Sequence, residues 1–397
     1  MIKINELPAL LVGLMATFVG IGLARFAYTP LIPEMAEQGW FESNQLAYLG
    51  AANLLGYFIG ALSAHWLSER FEMKWLLRAC FISIFASFVL CSQPVSFDWF
   101  FLWRFLAGVT GAILMVLAPS AVMSFVPRDR QAGVTTLVFT GIGIGAVMSA
   151  LIIPLFLKIS LGVTWLALAG LTVLAALVSE YCTHRLKSSA SSKTESPNSS
   201  APEVVGKGVL LLLIIAAYAL DALGFVPHTV FWVDYLAREQ GLGVMVASFQ
   251  WAVFGVGAVC GPLMTRYAIR YIGCHRGLLL GFLLKAVAIG IPLFSVDFFS
   301  RTLSSFLVGA LVPGLVALTS ARISELVGPH HHKRFWGLAT AVFALAQAVS
   351  GYGMAALYEY WGGYHHLFLL GCSSLLIGAG CIAFSGYYRT DESHYSK

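Results

Sequence analysis

Apolar stretches of about 20 residues, the length that crosses a bilayer as a helix, recur along the chain between short polar breaks. The first six fall near residues 8–32, 44–67, 75–93, 98–124, 132–157 and 162–182. A polar segment then runs from Thr183 to Lys207 and contains SSASSKTESPNSSAPE, whose Ser, Pro and charge content cannot bury enough surface to fold alone. Six more apolar stretches follow near 208–233, 243–267, 276–296, 300–325, 334–358 and 363–387. The pattern predicts an all-α membrane protein with twelve transmembrane helices in two pseudo-symmetric six-helix bundles, 1–182 and 208–397, joined by a linker over 183–207.

Composition supports that class. Hydrophobic residues make up 58% of the chain and charged ones only 11%, where a soluble surface needs about a quarter. The 39 glycines are spread along the chain and suit helices that pack closely in lipid. The first apolar run is too long for a secretory signal and holds Arg25 and several prolines, so it is expected to remain as a span. The seven cysteines stand singly and read as small buried apolar residues. His330, His331 and His332 could bind metal, but beside Lys333 and Arg334 they read as part of a basic loop. Neither a metal nor a cofactor is expected.

The net charge of +5 reflects topology rather than nucleic-acid binding. Most of the 24 Lys and Arg fall in breaks on one side, such as Arg70, Lys74 and Arg78 or Arg322, Lys333 and Arg334. Only Lys158, Arg238 and Arg301 fall on the other, together with the acids Glu34, Glu37, Glu42, Asp98, Asp234, Glu239 and Asp297. Positive charge stays inside, so both termini are expected in the cytoplasm, with the chain in a cell inner membrane.

Three basic residues, Arg25, Arg104 and Lys285, lie inside spans. A guanidinium cannot escape lipid by losing its proton, so it must meet water, a carboxylate or a ligand. With about 1.5 Å of rise per residue, Arg25 and Arg104 come to a shared level roughly 21–22 Å from the inner surface, and Asp221 to roughly 20 Å. Tyr28, Thr29, Asn53, Tyr57, Gln250, Trp251 and Gln347 are the polar candidates in the spans, equally able to bind a ligand or to join two helices. His228 could relay a proton or be a satisfied interface histidine.

The halves echo each other. GLARFAYTP from Gly22 sits in span one where LDALGFVPHT from Leu220 sits in span seven, and Gly60 precedes a basic turn as Gly261 does.

With this plan the chain resembles the major facilitator superfamily over nearly its whole length. The G-x-G-x-x-R-F-A-Y-T-P-L-x-P run from Gly20 to Pro33 is similar to the signature of its YbfB/YjiJ-type subgroup. Arg104, Gly108 and Gly111 are similar to a superfamily pattern tied to proton coupling. After span two, however, Ala64 and His65 replace the usual acid and base, and Gly141, Gly143 and Gly145 in span five lack the glycine-proline pair of drug antiporters. The resemblance implies that spans one, four and seven surround one cavity, where Arg25, Arg104 and Asp221 could meet. It also implies a peripheral span nine, where Lys285 would snorkel or pair locally.

These readings predict a monomeric secondary transporter of a small, possibly anionic, organic solute, working by alternating access. Arg25, Arg104 and the polar candidates would bind substrate, with Asp221 and His228 in proton coupling. A receptor or assembly protein on the same scaffold is the alternative, as is a drug or sugar efflux carrier. No H-E-x-x-H, G-x-S-x-G or phosphate-cradling glycine motif occurs, so no enzyme is expected.

Overall fold

The computed structural model describes residues 6–123, 125–187 and 208–395, so most of the expected linker lies outside the described residues, as do the side chains of His330, His332 and Lys333. Every described element is helical. In chain order α1 is Leu7–Thr17, α2 Ser43–Arg70, α3 Met73–Leu90, α4 Phe97–Met123, α5 Arg128–Leu157, α6 Leu161–Lys187 and α7 Gly208–Gly224. Gly243–Gly290 is one hydrogen-bonded run that breaks at Gly273 (φ 78°), giving α8 over 243–272 and α9 over 274–290. Phe298–Trp361 breaks likewise at Gly328 (φ 71°), giving α10 (Phe298–Gly328) and α11 (Arg334–Trp361). Residues His365–Tyr395 form α12. Both breaks use backbone angles that side chains with a Cβ rarely adopt.

Among the described residues ten stretches are long and apolar enough to cross a membrane, and Leu7–Leu23 is a shorter apolar helix. Leu62, Ile82, Leu151, Leu174, Leu212 and Val287 point outward, exposed. That apolar exterior fits lipid, and the chain is a multi-pass membrane protein.

Helix ends follow local chemistry. Glu42 and Gln45 form a reciprocal capping box at the start of α2. Asp297 accepts from the Phe299 and Ser300 amides at the start of α10. At two places the sequence expectation is corrected. Residues 183–187, expected in the linker, continue α6. Asp234 and Glu239, expected in a loop, belong to the helical continuation of α7, and Asp234 is fully buried.

Glycine sets the closest approaches. A Cβ on Gly60 in α2 would lie 2.2 Å from the Val109 carbonyl oxygen of α4, and one on Gly261 in α8 would lie 2.1 Å from that of Ala310 in α10. The two glycines matched between the halves thus do the same work, admitting a neighbouring backbone. Gly60→Val and Gly261→Val should each lower the Tm of the purified protein, at an overpacking cost of about 1–3 kcal/mol or more. Gly170→Val should not, because a Cβ there meets nothing within 4 Å among the described residues.

Candidate functional site

The site is built on a break in the first span. After Thr17 the backbone widens into a π-helical turn, Phe18–Leu23, then passes through turns to a short 3-10 segment at Thr29–Leu31 and a helix at Ile32–Glu37. Pro30 and Pro33 lack amide hydrogens, so the regular ladder cannot run through. The Tyr28 amide bonds the Arg25 carbonyl at 3.3 Å in place of that of Ala24, which leaves the Ala24 carbonyl to side chains. It accepts from Arg104 Nη1 at 2.7 Å and from Asn53 Nδ2 at 3.4 Å, and Asn53 also bonds the Arg104 carbonyl at 3.1 Å. Arg104 is 1% exposed, with its guanidinium 4.3 Å from the Tyr28 ring centroid. Arg104 and Asn53 therefore staple the broken first span, while Arg104 Nε meets no hydrogen-bond partner among the described residues. Arg104→Met, which keeps the stem and removes the donors, is expected to lower stability by about 1–3 kcal/mol in thermal unfolding.

The staple fixes the neighbouring residue, Arg25. Its side chain is only half-buried, although the residues around it in sequence are buried. Nη1 donates to Gln347 Oε1 at 3.0 Å, while Nε and Nη2 meet no hydrogen-bond partner among the described residues. Gln347 is fully buried, and its Nε2 likewise meets no partner among the described residues. Tyr57 is half-buried and within electrostatic range of Arg25.

Asp221 is not brought to the arginines. It pairs with Lys285 Nζ at 2.6 Å, and the two are 1% and 0% exposed. The expectation of a peripheral Lys285 is corrected by this pair, since α9 turns the lysine inward toward α7. A buried acid and base at similar depth was the available signal, but helix rotation about its axis is not visible in depth alone. One ring joins the two charge centres: Phe225 lies 5.6 Å from the Arg25 guanidinium carbon and 4.7 Å from Lys285 Nζ.

The other expected site residues fall elsewhere. His228 is fully buried, stacks on Trp232 at 4.4 Å and bonds Ser304 Oγ at 2.7 Å. Ser304 donates to the Ala288 carbonyl, so Nε2 of His228 carries the proton in this network. Gln250 donates to Thr302 and accepts from Ser305, tying α8 to α10. Trp251 is buried and lies parallel to Phe254 at 4.5 Å, with Phe26 edge-on to both. Tyr28 donates to the Leu46 carbonyl at 2.9 Å.

Thr29 donates across to the Thr229 carbonyl at 2.5 Å, joining the first span to the continuation of α7. More bonds of this kind lie at the end of the molecule away from the linker. Arg238 donates to Ser43, and Glu359 accepts from Tyr48 and Asn44.

An aromatic column that the sequence reading missed leads to Arg25 from the linker end. Trp336 stacks on Tyr218 (5.7 Å), Tyr218 on Phe343 (4.3 Å) and Phe343 on Phe225 (5.8 Å), with planes within 22–30°. Trp336, Phe343 and Gln347 lie at helical spacing on one face of α11. That spacing was the signal available in the sequence.

Comparison with known families adds one finding. A family model described as "Uncharacterised MFS-type transporter YbfB" matches residues 17–383. No curated protein matches the chain.

Proposed function

From the premise that this chain belongs to the YbfB-type family of major facilitator transporters, we propose that it is a secondary transporter carrying a small organic anion by alternating access. The observation that carries the anion is the half-buried Arg25, whose Nε and Nη2 are unpartnered among the described residues at mid-span. A buried cationic donor edge calls for an acceptor, and a carboxylate supplies two. Gln347 and Tyr57 flank that position.

The ten apolar spans among the described residues, the shorter apolar helix Leu7–Leu23 and the break at Gly273 within Gly243–Leu293 support the carrier reading, being compatible with twelve crossings in two bundles. With the linker end in the cytoplasm, as the basic residues require, the bonds through Thr29, Ser43 and Glu359 close the outer end. The described conformation is then one closed at its outer end.

Proton coupling falls to Asp221, which can exchange Lys285 for a proton as the carrier changes sides, and to His228. The protein acts as a monomer in the inner membrane. Reconstituted into proteoliposomes, it should accumulate an organic anion in response to an imposed pH gradient, and a protonophore should abolish the accumulation. Uptake of anions that ignores the gradient would remove the coupling role. Absence of flux for anions, zwitterions and cations alike would favour a receptor on this scaffold.

A further inference from the structure

We infer that the solute taken at Arg25 is a planar aromatic monocarboxylate, held by its carboxylate on the Nε and Nη2 edge of the guanidinium with its ring against Phe343 and Trp336, the half-buried members of the aromatic column. This deepens the anion reading above and rests on it.

The first support is the geometry of the free edge. The chain itself shows how that edge is used. Arg78 grips Glu180 through Nε and Nη2, and Arg238 grips Asp234 through the same two atoms. In both cases two parallel N–H groups meet the two oxygens of one carboxylate. Arg25 has its Nη1 committed to Gln347 and this same edge unpartnered among the described residues. Gln347 Nε2, fully buried and also unpartnered among them, supplies a further donor beside it. The donor set fits one carboxylate, and the nearby Lys285 is taken by Asp221.

The second support is what lies next to that edge. Four rings stand nearly parallel from Trp336 to Phe225, and Phe225 ends the series 5.6 Å from the Arg25 guanidinium carbon. Phe343 and Trp336 are half-buried, so each keeps some accessible surface. They share a face of α11 with Gln347, which places apolar flat surface and carboxylate donors along one line. A solute with a charged head and a planar body matches that line. A short aliphatic acid would leave the ring surface uncovered, and an aromatic amine would meet Arg25 with like charge.

The inference is tested on the purified full-length protein in detergent by calorimetric titration of trans-cinnamate, hexanoate, succinate, cinnamamide and phenethylamine. Cinnamate is expected to bind at least about 10-fold more tightly than hexanoate or succinate, from ring stacking, and at least about 10-fold more tightly than cinnamamide or phenethylamine, from the charge-assisted bonds. In Phe343→Leu the preference for cinnamate over hexanoate should fall below about 3-fold while hexanoate affinity is kept. Gln347→Ala should weaken both carboxylates and leave their ratio unchanged, which provides a second variant should Phe343→Leu fail to fold.

Hexanoate or succinate binding as tightly as cinnamate overturns the aromatic inference and leaves the anion reading standing. Cinnamamide or phenethylamine binding as tightly as cinnamate overturns both. So does the absence of binding by every carboxylate tested.

Discussion

An Asp221→Asn variant is expected to lose gradient-driven uptake and to unfold at a markedly lower temperature. The carboxylate is the partner of Lys285 Nζ at 2.6 Å, with both side chains essentially unexposed. Removing one member of a buried pair strands the other charge, a cost of about 3–5 kcal/mol. A double variant, Asp221→Asn with Lys285→Met, separates the two roles. It removes both charges, so most of the stability should return, since buried pairs are often replaced by apolar groups at little cost. Uptake driven by the pH gradient should stay absent, because the group proposed to carry the proton is gone. Thermal unfolding and proteoliposome uptake on the three proteins decide the matter. Restored stability together with restored coupled uptake would reduce the pair to a strut between α7 and α9.

The second large effect concerns Arg25. Arg25→Lys keeps the charge but replaces a planar fork by a compact ammonium. With two charge-assisted bonds at stake, each worth about 1.5–3 kcal/mol, solute affinity should fall about 100-fold or more in Arg25→Gln. Arg25→Lys should recover only a minor part of that loss. Binding to purified protein measures it, with thermal unfolding showing that both variants keep the fold. An Arg25→Lys protein that binds as tightly as the parent would mean that charge alone, without the fork, is recognised.

The spans were legible because a bilayer demands a long apolar run and basic residues gather on one side, two signals carried by composition alone. Arg25 was legible for the same reason, since a guanidinium in such a run stands out. What depth could not supply was direction. Arg25, Arg104 and Asp221 come to one level by helix rise, yet Arg104 turns onto the Ala24 carbonyl and Asp221 onto Lys285. A helix wheel has no reference mark until its neighbours are known, so residues at equal height were read as one cluster. Gln250 and His228 were each open to two readings, meeting a ligand or joining helices, and Thr302, Ser305 and Ser304 on α10 bond these two. The column of rings was overlooked because aromatics are abundant in a lipid-facing chain, and only the stacking geometry sets Tyr218, Phe225, Phe343 and Trp336 apart from packing residues.

Phe225 touches the fields of both Arg25 and Lys285. The electron-rich face of a benzene ring is a limited resource that two cations draw upon together. When an arriving anion satisfies one of them, the ring is left to the other, and the hold of that lysine on its acid changes without any atom of the solute reaching it. Cargo and proton would in this way sense each other through a side chain that carries no charge of its own.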